Sequence, residues 1–416
     1  MSRTNSVGIG VVSLLIVTTL FGGPRGLLSA QVNPSNLPLL SENQLQYIGG
    51  FRLPAESSNG EWFSFGGRTA AFNPAGPSLF VASYRGAVAE VTIPTPVNSS
   101  DVNELPFSTF LQPFADPTEG RLDEISPIGV NVAGLLVYGN RLYGTVSIYY
   151  DANNTQRVSH FSRSLKLDQP SFSGWSSVWQ PDRSGFVAGM MALVPSEWQA
   201  TLGGPAVTGQ CCIPIVYRTS NGPAAFSFDP AKVGQASVSA TPLLYYTLEQ
   251  ATLGPWEGSN PTYGATTQMG GFVAIAGTRT VLYFGSNGLG KHCYGDGTAN
   301  KALDETTSAD GVHLCYDPTT NSKGSHAFPY RSQIWAYDLN DLAAVKAGEK
   351  KPWDVVPYGV WPLTFPTVEP TMRLGGVGYD AARQIIYVSQ LGADPDVYSS
   401  RPVMHALRIA LPKAAQ

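Results

Sequence analysis

Leu45-Gln46-Tyr47-Ile48-Gly49-Gly50-Phe51, near the start of the chain, and His405-Ala406-Leu407-Arg408, near its end, decide the fold. The second stretch is the last of five copies of a short amphipathic strand. The earlier copies are Ala89-Glu90-Val91-Thr92, Ser159-His160-Phe161-Ser162, Phe226-Ser227-Phe228-Asp229 and Trp335-Ala336-Tyr337-Asp338. With Val91, Phe161, Phe228, Tyr337 and Leu407 aligned, the copies lie 70, 67, 109 and 70 residues apart. Self-similarity on this scale marks a repeated structural unit. Upstream of most copies runs a glycine-led strand, a tight turn and a second strand, as in Gly66-Gly67 through Phe72 followed by Leu79-Phe80-Val81. Turns such as Asn73-Pro74-Ala75-Gly76 and Gly139-Asn140 have hairpin chemistry. The third unit, Phe186 to Val194, is less regular and carries a helical turn at Ser196 to Leu202.

Downstream of the first four copies comes an outer strand: Phe107 to Leu111, Trp175 to Trp179, Leu243 to Tyr246 and Val355 to Trp361. After the fifth copy too few residues remain for one. Leu45 to Phe51 reads as a strand with no neighbour of its own, so it supplies the missing element and removes the exposed sheet edges. The wide 109-residue interval holds Gly285 to Ser332, rich in Gly, Asp, Asn, Ser and Thr. It reads as a loop insertion in the fourth unit, not as an extra unit.

The repeats resemble the β-propeller superfamily over nearly the whole chain, at the level of architecture. The resemblance implies an all-β fold, a single propeller over residues 31–416 with five four-stranded blades, closed by the N-terminal strand. Five-bladed glycosidases of this general shape carry acidic catalytic residues on their inner strands. Here the first inner strand begins Phe65-Gly66-Gly67-Arg68, without an aspartate.

Residues 1–30 read as a secretory signal, with Arg3, an apolar run from Val7 to Leu20 and small residues at Ser29 and Ala30. That run is too short for a bilayer span of about 20 residues, so a secreted location, extracellular or periplasmic, is expected, with no stable membrane span in the mature protein. Charged residues make up only 13% of the chain and the formal charge is −4 with no basic block, which argues against nucleic acid as a partner. In an oxidising compartment four cysteines permit disulfides. Cys293 with Cys315 is the favoured pair, and Cys211-Cys212 form an adjacent disulfide or remain thiols.

In this architecture the longest connections emerge on one face, where a site is expected. Arg68 and Arg373, beside the glycines that open inner strands, would lie at the channel mouth and grip a carboxylate or sulfate; alternatively they pair with Glu61 and Glu369. Arg121 is a third candidate for substrate binding. His326, Tyr330 and Arg331 could abstract a proton from an acidic sugar, while Glu257 and Glu369, with Glu119, Asp123 and Glu124, could flank a glycosidic bond. Trp198, Trp256, Tyr263 and Tyr398 offer faces for sugar rings or pack between blades. The loop cluster His292, Asp296, Asp304, Asp310, His313, Asp317 and His326 fits no standard metal spacing; a divalent cation such as calcium is the cofactor that a lactonase or esterase would need. The expected function is therefore a carbohydrate-active hydrolase or lyase on an acidic polysaccharide or a small-molecule ligand. The competing expectation is a non-catalytic propeller that binds a protein or a surface glycan.

Overall fold

The computed structural model describes Met1 and residues 33–127, 129–210, 213–367, 373–396 and 399–411. The expected leader, the Cys211-Cys212 pair, Glu369 and Tyr398 lie outside the described residues. Five antiparallel sheets of the same plan follow one another along the chain. Blade 1 comprises Ala70–Asn73, Ser78–Ala82, Val88–Thr92 and Phe110–Ala115. Blade 2 comprises Val130–Tyr138, Arg141–Ile148, His160–Ser164 and Ser173–Val178, with Ser237–Val238 added in parallel at its outer edge. Blade 3 uses Met191–Leu193, Ala206–Thr208, Ala225–Phe228 and Ala240–Leu244, and blade 4 uses Gln268–Ala274, Thr280–Gly288, Tyr330–Asp338 and Gly359–Pro362. Blade 5 takes Leu374–Asp380, Ile385–Pro395 and Ser400–Ile409 from the end of the chain and Leu45–Arg52 from its beginning.

The five innermost strands touch in a closed cycle, blade 1 to 2, 2 to 3, 3 to 4, 4 to 5 and 5 back to 1. The molecule is therefore a five-bladed β-propeller. The seal is the antiparallel pairing of Leu45–Arg52 with Ser400–Ile409, in register from Leu45 opposite Ile409 to Arg52 opposite Val403, with one bulge at Gly49. Phe51 of this strand is fully buried with Leu79, Val81, Val91 and Met404, so the closing strand welds blade 5 to blade 1 through the core as well as through backbone bonds. The aligned residues Val91, Phe161, Phe228, Tyr337 and Leu407 all lie on third strands and are buried.

The structure moves the outer strands of blades 1 and 4, read at Phe107 to Leu111 and Val355 to Trp361, to Phe110–Ala115 and Gly359–Pro362, and it differs further in the fourth unit. The interval after blade 4's second strand spans residues 289–329, because the flanking strands run on to Gly288 and begin at Tyr330. It is also not all loop: Cys293–Thr298, Leu314–Tyr316 and Lys323–His326 form a small three-stranded sheet. A second helix, Leu339–Lys346, follows blade 4's third strand, and the Asp338 carboxylate caps it by accepting from the Asn340 amide at 2.9 Å. It turns Leu339, Leu342 and Val345 into the core. Among the described residues no helix is long and apolar enough to cross a membrane.

Two buried histidines tie stability to pH. His405, on the sealing strand pair, meets Tyr47 Oη at 3.1 Å and Gln390 Oε1 at 2.8 Å and stacks on Phe365. Burial lowers its pKa from 6.5 to about 3, and His160 is lowered likewise to about 3. In each case the unfolded chain binds the proton first, so stability is complete above 6.5 and falls as the pH drops toward 3, by about 1.4 kcal/mol per pH unit per histidine. Urea unfolding at pH 7 and pH 5 reads this, and His405→Gln should flatten the slope. Truncating the sealing strand's anchor, Phe51→Ala, is expected to cost about 3–5 kcal/mol, measured by the same titration.

Candidate functional site at the channel mouth

All inner strands start at the end of the ring where the long connections gather, so the one or two residues before each strand lie at that end. Blades 1 and 5 meet there backbone to backbone. The Gly376 amide donates to the Gly67 carbonyl at 2.9 Å, and a Cβ on Gly375 would collide with that same carbonyl. Gly67 itself has φ +82° and lies against Pro402 Cγ and Ser389 Oγ, which a Cβ would meet at 2.6 and 2.7 Å. Only glycine allows this approach. It is what brings Arg68, next after Gly67, beside Arg373, which precedes Leu374 and Gly375.

The Arg68 side chain is exposed, although neighbouring protein atoms crowd its guanidinium. Burial lowers its pKa, and the neighbouring positive charge of Arg373 lowers it further, while Tyr84 and Tyr149 oppose the shift. Among the described residues Arg68 makes no hydrogen bond or ion pair. Glu61, one partner expected from the sequence, pairs instead with Arg85 at 3.6 Å, and Arg85 in turn lies over the Trp62 ring at 5.5 Å.

Aromatic side chains stand around this pair. Phe65 is 54% exposed, Tyr84 60% and Tyr149 54%. Phe65 and Tyr84 meet edge to face with centroids 6.3 Å apart. Phe65 has φ +58°, an unfavourable backbone region for a bulky residue. Its amide is fixed on the Ser400 carbonyl at 2.8 Å, and the Gly66 amide turns back to the Phe63 carbonyl. A strained residue held outward in this way is the kind that gathers at ligand sites. Sequence reasoning missed these three aromatics, although Ser83-Tyr84-Arg85-Gly86 and Tyr149-Tyr150 each follow a second strand on the expected face.

The insertion joins the mouth through Asp317. Its carboxylate accepts from His326 Nδ1 at 2.9 Å, Tyr330 Oη at 2.6 Å, and the Thr319 amide and hydroxyl. Burial alone would raise its pKa, but the bonds from His326, Thr319 and Tyr330 outweigh that and hold it below the ordinary value of 3.8. His326 Nε2 faces the Gly295 and Ser322 carbonyls at 3.2 and 3.1 Å, so both ring nitrogens are engaged inside the insertion. Burial and Asp317 raise the Tyr330 pKa, while the Arg373 charge opposes them, which places Tyr330 between the insertion's hub and the mouth. The Cys293–Cys315 disulfide, with Cα atoms 5.7 Å apart, closes the same sheet. His313 Nε2 lies 3.6 Å from Cys293 Sγ, but the disulfide consumes both sulfurs, so this trio has no thiolate to offer a metal.

The remaining candidates disperse. Arg121 pairs with Glu124 at 2.9 Å and lies over the Phe172 ring at 5.1 Å, on the outer side of blade 2. Glu119 accepts from the Ser171 and Phe172 amides and Glu124 from Trp175 Nε1. Glu257 is exposed on the loop before blade 4, near enough to His292 for its charge to act there. Arg331 bonds Gln333 Oε1 and the Pro261 carbonyl. Trp198 and Tyr263 are buried, Trp198 donating to the Thr278 carbonyl at 2.8 Å. Two guanidinium groups at the mouth repel a divalent cation, so the residues there do not fit calcium.

No family model matches this chain, and no curated protein matches it. Solved structures do. The chain is similar to a glycosyl hydrolase from Bacteroides ovatus at 10% identity and TM-score 0.40, covering 91% of this chain and 95% of that one. It is also similar to a GH43 endo-arabinanase from Bacillus licheniformis at 11% identity and TM-score 0.38, with coverage of 84% and 95%. The architecture itself rests on the strand pairings.

Because Asp317 is held below its unfolded value, its contribution is complete at neutral pH and is lost as the pH falls below about 4. Amide exchange across residues 293–326 should therefore quicken at pH 3 relative to pH 7. Asp317→Asn should raise it at pH 7 and remove most of that pH dependence.

Proposed function

We propose that the channel mouth binds an acidic carbohydrate, with Arg68 and Arg373 taking its carboxylate or sulfate and Phe65, Tyr84 and Tyr149 packing against the sugar faces. The observation that carries this reading is Arg68. A guanidinium that is accessible, has no bonding partner among the described residues and feels a second guanidinium is held at an electrostatic cost, which an anion relieves. Planar, charge-assisted bonds to a carboxylate are what two adjacent arginines provide. Tyrosines beside them supply an apolar face with a hydroxyl at its edge.

If the site is catalytic, its composition favours β-elimination over hydrolysis. Hydrolysis needs two carboxyl groups flanking the bond, and at the described inner-strand starts of blades 1, 4 and 5 stand Arg68, Gln268 and Arg373. Elimination needs the uronate carboxylate neutralised, a base to take the proton α to it, and loss of the glycosidic oxygen as the C–C double bond forms. The arginines serve the first need, and of Tyr84 and Tyr149, both within electrostatic reach of Arg68, one as the phenolate would take the α-proton while the other gives its proton to the departing glycosidic oxygen. The step as proposed does not call on Glu257, His326 or Tyr330.

Titration of the purified protein with oligogalacturonate and with a sulfated oligosaccharide tests the reading. Arg68→Ala should weaken binding roughly 10- to 100-fold, the worth of a charge-assisted pair. Arg68→Lys should recover only part, since an ammonium lacks the bidentate fork. Unchanged affinity in Arg68→Ala would end the proposal, and unsaturated product ends on prolonged incubation would establish the lyase form.

A further inference from the structure

A second concavity lies on the same face, away from the channel. It is a cleft of about 250 Å³ above blade 3, bounded by Asp182 and Arg183 before the blade, Tyr217, Arg218 and Asn221 in its inner loop, and Glu249 after it. None of Arg68, Arg373, Tyr84 or Tyr149 lines it. A narrower apolar pocket adjoins it, sharing Asn221, Thr247 and Leu248 and adding Trp256.

Part of the lining is uncommitted, although Asn221 Nδ2 donates to the Val216 carbonyl at 2.8 Å and Arg183 lies over the Phe186 ring at 5.7 Å. Arg218 makes one side-chain hydrogen bond, Nη2 to the Ala152 carbonyl at 3.1 Å, and its guanidinium lies over the Tyr217 ring at 4.8 Å. Asp182 and Arg183 have no side-chain hydrogen bond among the described residues. Two further atoms of the lining, Arg218 Nε and Asn221 Oδ1, are buried without a partner. A buried polar atom left unbonded is costly and calls for an explanation. A ligand hydroxyl that lets either side chain reorient would draw on that unused capacity. Tyr217, 58% exposed, leaves its ring open beside these groups.

The charge balance distinguishes this cleft from the channel mouth. Two carboxylates, Asp182 and Glu249, stand with two guanidinium groups, Arg183 and Arg218, so the formal charges cancel. Hydrogen bonding to Thr247 and to its own backbone amide, with a smaller push from the Arg183 charge, holds the Glu249 carboxyl below its usual value, so it stays an acceptor. Such a lining gives a net anion or cation no advantage. It offers planar donors and planar acceptors side by side, which together match vicinal hydroxyl pairs, and aromatic faces for the C–H side of a ring.

We propose that this cleft is a binding site for an uncharged sugar residue, in which Asp182, Arg183, Arg218 and Asn221 take ring hydroxyls and Tyr217 and Trp256 supply the apolar contact. The volume, just under the usual range for small-molecule sites, suits a single ring at the end of a chain. The site does not depend on the anion reading for the channel mouth.

Calorimetric titration of the full chain with cellohexaose, xylohexaose, mannohexaose and maltohexaose tests it. At least one should bind, and Tyr217→Ala and Asp182→Ala should each weaken that binding roughly tenfold or more. Both positions are exposed, and an unchanged unfolding midpoint confirms the fold of each variant. Arg68→Ala should leave hexaose affinity as it was, while Tyr217→Ala should leave oligogalacturonate affinity as it was, so each site can fail without the other. The proposal is overturned if no hexaose binds at concentrations up to about 10 mM, or if Tyr217→Ala binds like the parent protein.

Discussion

The antiparallel zipper between Leu45–Arg52 and Ser400–Ile409 is the constraint on which the rest of the molecule depends. Without it, blade 5 would hold three strands with an unpaired edge, and blade 1 would lose the core contacts of Phe51 and Met404. The ring would open at the junction where Gly67 and Gly375 bring two inner strands into backbone contact. That junction also positions the arginine pair. Closure and the arginine pair thus share one seam: what seals the circle sets Arg68 beside Arg373.

Holding Arg68 beside Arg373 works against Coulomb repulsion, and the fold tolerates it because the surrounding blades fix the backbone on both sides. The same logic holds for Phe65, whose left-handed backbone is pinned by the Ser400 carbonyl of the sealing pair. Rigid elements hold strained and repelling groups where a loop alone would let them relax, which suits a preorganised binding surface. The disulfide-closed insertion adds to this, since Asp317 ties His326 and Tyr330 into one buried node next to Arg373.

The arginine pair and the cleft above blade 3 differ in electrostatic character. The channel mouth is cationic and ringed by aromatics, while the cleft above blade 3 is charge-balanced and holds its own aromatic faces.

The sequence by itself pointed to five blades, to the strand that closes the ring and to the face bearing the long connections. These follow from periodicity, turn chemistry and a count of unpaired strands, all of which are local. Only the tertiary structure decided which loop residues reach the channel. Arg121, Glu119 and Glu124 stand in a loop on the expected face, yet Phe172, Trp175 and the Ser171 amide, some fifty positions further on, hold them to the outside of blade 2. His326 and Tyr330 are likewise adjacent to the mouth but spent on Asp317. The cleft above blade 3 had no local signal, because its walls come from four separate connections that only the ring brings together. A loop's course is set by the distant groups that satisfy its polar atoms, and spacing along the chain does not carry that information.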